Sequence, residues 1–417
     1  MPTDELAASF IKGESLPVAV ADITSELAGL WQAVADSKDE SVRSATRVCK
    51  LNLIVYSPHE GAYERAAGAL ADIGRIHPSR VIAVLAEREA EVDELATYVK
   101  AHCHQPAPNE KQVCCEQITA VAKGSAVDKL WEIMAPLVLK ELPVALWWQD
   151  DLPEDDALFE QLLKLSQRLI FDSADSHDVG NMLARARALS LNWQAGSCGD
   201  LNWQRLTQCR DLVAQFLESP EAVPWLKHIE KINLEVAMAL EGDSHFAQPF
   251  LFLGWLAGLL NWRLTEPLTP LTGDDATSEK PATSGESSAG RDFSGASVFR
   301  TNWQNKNNSP TGSVGEIVGT ITLHHPAPAL DDAAMPVGML SVQLQFREEA
   351  ERLCFFLRRD PNQGQVIMKV TKGEKVLTES AMPLSEASLA ELAIRELNRT
   401  GHDQIYESAL RIATQLI

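Results

Sequence analysis

The chain has 417 residues, of which 45% are hydrophobic and 23% charged, and its formal net charge is -21. This is the balance of an ordinary globular protein, and the length exceeds what one hydrophobic core usually serves, so we expect two domains. The acidic surface argues against nucleic acid and membrane as partners. The N-terminus is acidic, and the most apolar stretch, residues 250–260, is about half a membrane span, so we expect a cytoplasmic protein.

The first 45 residues predict an N-terminal helical segment, in which Leu27, Leu30 and Trp31 recur at helical spacing. From residue 46 to residue 265, short apolar runs alternate with amphipathic helical patterns, which is typical of a mostly parallel sheet covered by helices. The strand candidates are residues 48–56, 81–85, 113–121, 144–148 and 169–172. Residues 46–265 therefore predict an α/β layered domain.

The second half of the chain has a different pattern. Residues 272–297 are rich in small and polar side chains and contain one large apolar residue, Phe293, so we predict a flexible linker or long loop over 266–298. Beyond it, apolar and polar residues alternate at the two-residue period of half-buried strands, and two helical patterns close the chain. Residues 299–417 therefore predict a smaller α+β domain with an antiparallel meander and two C-terminal helices.

The sequence lacks the motifs that identify the common enzymes of this fold class. It contains no G-x-G-x-x-G turn, no phosphate loop ending in Gly-Lys-Ser or Gly-Lys-Thr, and no G-x-S-x-G nucleophile elbow. Residues 172–178 contain Ser, His and Asp after a predicted strand, but Ser and Asp before a helix are ordinary caps, and we interpret them as such. We predict neither a catalytic residue nor a cofactor site.

Cysteine and histidine cluster at His102, Cys103 and His104 and again at Cys114 and Cys115. Zinc accepts such ligands, but the spacing matches no standard zinc site, and adjacent cysteines on a strand point to opposite faces. We therefore predict no metal site here, and interpret the cluster as buried thiols beside a surface histidine loop.

A second cysteine pair, Cys198 and Cys209, flanks the predicted start of a helix and follows a glycine-containing loop. Backbone N–H groups at a helix N-terminus lower the pKa of a thiol, so a reversible disulfide between these two is one hypothesis. Two unrelated thiols are the alternative. The seven cysteines do not resemble the framework of a secreted module, and most should be reduced.

Tryptophan is abundant, with 10 copies. Trp147 and Trp148 end a predicted strand, where at least one of them should lie at the rim of the sheet, and a later segment contains Asn202, Trp203 and Arg205. Tryptophan and arginine are the residues that most often anchor interfaces, so these five form a candidate partner interface. Ordinary core packing is the alternative.

Several segments resemble the glucose-6-phosphate dehydrogenase assembly protein (OpcA) family. They are HPSR at 77–80, CEQI at 115–118, LPVALWW at 142–148, RLIFDS at 168–173 and DLNWQRLT at 200–207. The resemblance spans most of the N-terminal domain and continues more weakly through residues 252–257 into the C-terminal strands. It implies a non-catalytic allosteric activator or assembly factor that binds glucose-6-phosphate dehydrogenase and regulates the oxidative pentose phosphate pathway.

The resemblance also implies sensitivity to thioredoxin, for which Cys198, Cys209, Cys114 and Cys115 are the candidate redox residues. The alternative function is an enzymatic or sugar-phosphate-binding α/β domain whose site is assembled from loops, with residues such as Arg80, His77 and Asp172.

Overall fold

The computed structural model describes residues 3–107, 110–238, 246–271, 293–305, 316–326, 338–360 and 363–417. The chain divides into two compact units. The first unit comprises Met1–Asp172, Ser190–Leu201 and Ala387–His402, and the second comprises Ser173–Leu189, Asn202–Glu386 and Asp403–Ile417. Each unit is thus assembled from separate stretches of the chain.

The first unit contains a mostly parallel sheet, which confirms the predicted α/β layer. Its described strands are β1 (Leu16–Val18), β2 (Thr46–Arg47), β3 (Leu51–Ser57), β4 (Ser79–Glu87), β5 (Glu94–His104), β6 (Val113–Lys123), β7 (Val144–Trp148), β8 (Arg168–Phe171) and β9 (Ser197–Asp200). Their order is β1-β5-β6-β4-β3-β7-β8-β9, with β2 beside β6. Neighbours from β6 to β9 run parallel, whereas β1 and β5 are antiparallel to their neighbours.

The described helices are α1 (Thr3–Ile11), α2 (Ile23–Asp36), α3 (Glu40–Arg43), α4 (Glu60–Ile76), α5 (Leu130–Met134), α6 (Ala157–Leu165), α7 (Val179–Asn192), α8 (Leu201–Arg205), α9 (Thr207–Leu217), α10 (Ala247–Leu259), α11 (Leu389–Asn398) and α12 (Gln404–Ala413). In the first unit, α4 covers the sheet with Leu70 and Ile73, and α11 adds Leu392 and Ala393 to the same core. Within the described ranges, no helix is both long enough and apolar enough to cross a membrane.

The five strands predicted for this sheet are confirmed as β3, β4, β6, β7 and β8. These strands are nearly continuous apolar runs because helices cover both faces of a parallel sheet. The predicted N-terminal helical segment, residues 1–45, contains α1, α2 and α3, but it also contributes β1, which pairs with β5. Neither β1 nor β5 was predicted.

The second unit contains a largely antiparallel sheet. Its described strands are β10 (Ile229–Ala237), β11 (Trp262–Leu271), β12 (Phe293–Asn305), β13 (Glu316–Pro326), β14 (Gly338–Glu348), β15 (Glu351–Asp360), β16 (Gln365–Lys372) and β17 (Lys375–Pro383), in the order β11-β12-β13-β10-β14-β15-β16-β17. Consecutive strands β14 to β17 pair antiparallel, which confirms the predicted meander. The pair of β10 with β13 is parallel.

The predicted boundaries differ from those of the structure. β10 and β11 belong to the second sheet, so the first sheet ends well before residue 265 and the second unit is not the smaller one. Residues 266–271 and 293–298 of the predicted linker lie in β11 and β12, and 272–292 lie outside the described residues. The last two helices exist as predicted, but α11 belongs to the first unit. Local periodicity identifies a strand without identifying its partner, which is why these assignments were missed.

Candidate functional site

Trp147 and Trp148 lie in the core of the first unit. They end β7, which is flanked by β3 and β8, and their exposed fractions are 1% and 2%. The Trp148 ring stacks on that of Tyr56, with centroids 3.8 Å apart, and its indole Nε1 donates to the Asp151 carbonyl oxygen at 3.1 Å. The expected position at a rim is therefore wrong, because helix-covered strands bury both faces. In this structure neither tryptophan offers surface to a partner.

Asn202 and Trp203 are buried in a polar network of the second unit. Asn202 Nδ2 donates to Ser173 Oγ at 3.1 Å, and Asn202 Oδ1 accepts from Gln248 Nε2 at 2.8 Å. The indole Nε1 of Trp203 donates to Asp403 Oδ2 at 3.1 Å. Buried polar groups that are paired in this way hold separate chain segments together, so both residues have a structural role here.

Arg205 is half-buried and is the only one of the five predicted interface residues with an accessible side chain in the described structure. A second arginine, Arg210, follows five residues later, and its guanidinium carbon is 3.5 Å from the ring centroid of Trp203. Arg210 Nη2 also donates to Thr207 Oγ1 at 3.2 Å. The buried tryptophan therefore contributes to the surface indirectly, by holding a basic side chain against its ring.

The first unit contains a buried ionic network centred on Glu116, whose side chain is fully buried. The Glu116 carboxylate accepts from Arg47 Nη2 at 2.8 Å and from Trp31 Nε1 at 2.9 Å, and it pairs with Arg80. Arg80 Nη1 also donates to the Leu137 carbonyl oxygen at 2.8 Å. Arg80 is thus committed to internal partners, which counts against its proposed role in a sugar-phosphate site.

A second buried ion pair in the same unit joins Arg168 to Glu396. Arg168 Nη1 donates to Ser197 Oγ at 2.8 Å and to the Gly401 carbonyl oxygen at 3.0 Å. Glycine is required at position 199, because a Cβ there would overlap the Glu396 carboxylate. The sequence motifs that contain Arg80, Glu116 and Arg168 therefore build the interior of this unit.

Cys103 and Cys114 form a disulfide between β5 and β6, with Cα atoms 4.1 Å apart. The two residues are directly opposite in the antiparallel register. The sequence analysis missed this pair because it interpreted residues 102–104 as a loop, whereas they end β5. Val99, Ala101 and Cys103 alternate with the polar residues Lys100 and His102, and this two-residue period was the signal that could have identified the strand.

The remaining candidate redox residues carry thiols in this structure: Cys115, Cys198 and Cys209. Cys209 lies near the start of α9, but burial raises the pKa of its thiol to about 12. The expected lowering by the helix N-terminus is therefore wrong for Cys209, because desolvation of the thiolate outweighs it. Burial also raises the pKa of the Cys115 thiol, whose Sγ donates to the Gly74 carbonyl oxygen at 3.6 Å.

Of the residues 172–178, Asp178 directly precedes α7, whereas Ser173–Asp175 form a separate 3-10 turn. The Asp178 carboxylate accepts from Asn181 N at 2.9 Å and so caps α7. Across the part of the chain that the structure describes, no group of three or more His, Cys, Asp or Glu side chains is arranged to hold a metal ion.

Two family models match the chain. The model for a glucose-6-phosphate dehydrogenase subunit N-terminal domain matches residues 71–188, and that for the C-terminal domain matches residues 197–410. A Nostoc punctiforme protein named as an OxPP cycle protein OpcA is 25% identical in a match of 317 residues that covers 59% of this chain and 66% of the relative. A Synechocystis protein of the same name is 28% identical over 209 residues, 50% of this chain and 41% of the relative.

Among solved structures, a mutant 3-ketoreductase from Actinomadura kijaniata is 11% identical, with 88% of this chain and 95% of that one covered. Its TM-score of 0.45 is too low to support any statement about this chain. The chain spans less than two thirds of the length of the two named relatives. Because the C-terminal model alone covers residues 197–410, more than half of the sequence, the chain belongs to the OpcA family.

Proposed function

We propose that the chain is a non-catalytic partner of glucose-6-phosphate dehydrogenase, which it assembles or allosterically activates, and that it thereby regulates the oxidative pentose phosphate pathway. The observation that carries this proposal is the match of two family models, both described as domains of a glucose-6-phosphate dehydrogenase subunit, to most of the chain. The names of the relatives, which refer to the OxPP cycle, support it.

The turn between β3 and α4 supports a role without a nucleotide cofactor at that position. In dinucleotide-binding folds, glycines in the first strand-to-helix turn let the backbone approach a pyrophosphate at the helix N-terminus. Here the turn contains Pro58 and His59. His59 Nδ1 accepts from Ala62 N at 3.2 Å, so a side chain of the protein itself caps the N-terminus of α4.

The test of this function is the complete substrate curve of glucose-6-phosphate dehydrogenase from the same organism, measured with increasing amounts of the chain. We expect a change in substrate affinity or maximal rate, because an activator binds two states of the enzyme with different affinities. The chain alone should yield no NADPH from the same substrates. Saturating binding that leaves the whole curve unchanged would contradict activation.

Arg205 is the accessible residue that we propose for the contact with the dehydrogenase. Arginine anchors interfaces through charge-assisted hydrogen bonds, so Arg205→Ala should weaken the complex by about tenfold or more, with an almost unchanged melting temperature. Arg352→Ala, at an exposed position of the same unit, is the matched control. A folded Arg205→Ala chain with wild-type affinity would exclude this residue from the contact surface.

Redox regulation, with thioredoxin as a reductant, is part of the same proposal. The cross-strand disulfide between Cys103 and Cys114 supports it, since this pair can switch between a bridge and two thiols without rearrangement of the strand register. Cys198 and Cys209 remain candidates, but the raised pKa of Cys209 makes its thiol a poor nucleophile near neutral pH.

A further inference from the structure

The first unit contains a cavity of about 250 Å³ at the outer edge of its sheet. It lies between the end of α1, the last turn of α4 and the end of β5, and all three elements belong to the first unit. Its polar lining includes Lys12, Arg75, His102, Cys103 and His104. Because Cys103 is bonded to Cys114, one half of a disulfide lies in the wall of this cavity.

The fold leaves the edge of β5 open at this point. β1 pairs with β5 only at Thr97–Val99, so no described strand pairs with the outer edge of β5 beyond Val99. Gly13, with φ of 84°, ends α1 in a left-handed turn, and a Cβ there would lie 3.2 Å from the Ala101 carbonyl oxygen. The chain thus passes close to β5 and turns away, which leaves the space beside Cys103.

The two halves of the disulfide differ in their access to this space. Cys114 is fully buried, whereas Cys103 is half-buried. The bridge runs from β5 to its inner neighbour β6, and no residue of β6 lines the cavity among the described residues. A thiolate attacks a disulfide sulfur from the side opposite the leaving sulfur. A thiol in this cavity therefore approaches Cys103 from the required side.

The charged residues of the lining are basic. Lys12 and Arg75 are exposed there, and no Asp or Glu of the described ranges lines the cavity, in a chain with a net charge of -21. Arg75 Nη1 donates to Asp72 Oδ1 at 2.8 Å, but both side chains are more than half exposed, so solvent screens this pair. Burial, and after it the Arg75 charge, lower the pKa of His104, so this histidine is neutral at neutral pH. The cavity is thus suited to a molecule that carries carboxylates.

We propose that an acidic thiol of low molecular mass, such as the tripeptide glutathione, binds in this cavity and reacts with Cys103. Its carboxylates pair with Lys12 and Arg75, and its thiolate attacks Cys103 Sγ. The bond between the two protein sulfurs breaks, a mixed disulfide forms on Cys103, and Cys114 leaves as a thiolate that takes up a proton. A second thiolate then displaces Cys103. Two molecules of thiol are thereby oxidised to their disulfide, and the protein is reduced to two thiols.

This inference rests on the redox part of the proposed function and specifies the chemical class of the reductant. Thioredoxin is the alternative reductant, and the experiments separate the two. Association with a dehydrogenase has no part in them, so failure of this inference and failure of the activator role are distinguishable.

The test compares glutathione with its diethyl ester, which has the same thiol and no free carboxylate. Each is added to the oxidised full chain at equal thiolate concentration, and the loss of the bridge between Cys103 and Cys114 is followed by peptide mapping after acid quenching. We expect glutathione to react about threefold faster or more, with an advantage that falls at high salt. The quenched samples should contain a mixed disulfide on Cys103 and none on Cys114.

Variants then locate the binding. Lys12→Gln and Arg75→Gln each remove one charge at an exposed position of the lining, and each should slow the reaction with glutathione by about threefold without slowing the ester. The ester reports access to the disulfide itself, so a variant with a damaged fold would change both rates. Arg65→Gln, exposed on α4 and outside the cavity, is the matched control and should react as wild type.

Three results would overturn the proposal. The first is an equal rate for glutathione and its diethyl ester in the wild type, and the second is a mixed disulfide on Cys114 in place of Cys103. The third is reduction of the bridge by thioredoxin without reduction by glutathione, which would leave redox regulation in place and exclude the acidic small thiol.

Discussion

At the scale of a single residue, Glu116, which lies in the CEQI segment at 115–118, stabilises the interior of the first unit. Its buried carboxylate neutralises Arg80 and Arg47 and accepts from the Trp31 indole. Glu116→Gln keeps the shape of the side chain but leaves the buried Arg80 without a counter-charge. Removing one partner of a buried ion pair costs about 3–5 kcal/mol, and we expect a loss in the lower part of this range because Arg47 is partly exposed.

The measurement is urea unfolding of the wild type and the variant. Glu64→Gln, at an exposed position on α4, is the control and should lie within about 0.5 kcal/mol of wild type. An equal stability for the two variants would show that the Glu116 network does not stabilise the fold.

The disulfide gives a second prediction at this scale. Cys103 and Cys114 are 11 residues apart, and a bridge that closes a loop of this size stabilises a protein by about 2–3 kcal/mol. Cys103→Ser should therefore unfold at a lower urea concentration than the oxidised wild type. Reduction should lower the urea midpoint of the wild type to that of Cys103→Ser. Cys209→Ser should retain the wild-type redox response.

Peptide mapping of the unreduced protein checks the pairing itself. We expect one linked peptide that joins Cys103 to Cys114. A linked peptide between Cys198 and Cys209 instead would restore the hypothesis drawn from the sequence and contradict the pairing across β5 and β6.

At the scale of elements, the packing of α10 on α12 depends on a close approach at Gly254. A Cβ at position 254 would overlap the Ala409 carbonyl oxygen and lie 3.0 Å from Ala413 N, and both are backbone atoms that cannot move alone. Gly254→Ala should therefore push the helices apart and cost about 1–3 kcal/mol, despite the better helix propensity of alanine.

Gly258, one turn further along α10, is the matched control. A Cβ there would meet only the side-chain atoms Ser408 Oγ, at 3.3 Å, and Ile412 Cδ1, at 3.5 Å, which can adjust. Gly258→Ala should be neutral or stabilising by up to about 1 kcal/mol in thermal unfolding, because it adds helix propensity. The account of this helix pair fails if the two variants have the same melting temperature.

How far the elements could be predicted from the sequence depended on their burial. β7 and residues 81–86 of β4 are continuous apolar runs, as expected for strands covered on both faces of a parallel sheet, and such runs are easily identified. β5 was missed because polar residues at half-buried positions, among them Lys100, His102 and His104, leave it without a continuous apolar run. β10 and β11 could not be assigned to a sheet, because pairing with β13, β14 and β12 depends on distant parts of the chain.

The candidate site shows the same limit more severely. Composition identified Trp147 and Trp203 as notable, but whether a tryptophan is core or surface depends on the elements that cover it, and both proved buried. Likewise, the register between neighbouring strands determines which cysteines form the disulfide, and the sequence alone does not reveal that register.

At the scale of the whole molecule, the two units are interleaved along the chain, and α11 returns to the first unit after the meander of the second. The first unit therefore cannot be completed without residues 387–402. Truncation before residue 387 removes α11 from the core next to α4 and should expose Leu70 and Ile73. Experiments on partner binding accordingly require the full chain.

The central claim is that this chain acts by binding glucose-6-phosphate dehydrogenase and not by catalysis. Size-exclusion chromatography with light scattering, on a mixture of the two purified proteins with NADPH formation followed in each fraction, tests it most directly. The account predicts a peak whose mass contains both proteins and carries the NADPH-forming activity, with no activity in the fraction of free chain. Separate elution at both masses, or NADPH formation by the free chain, would contradict it.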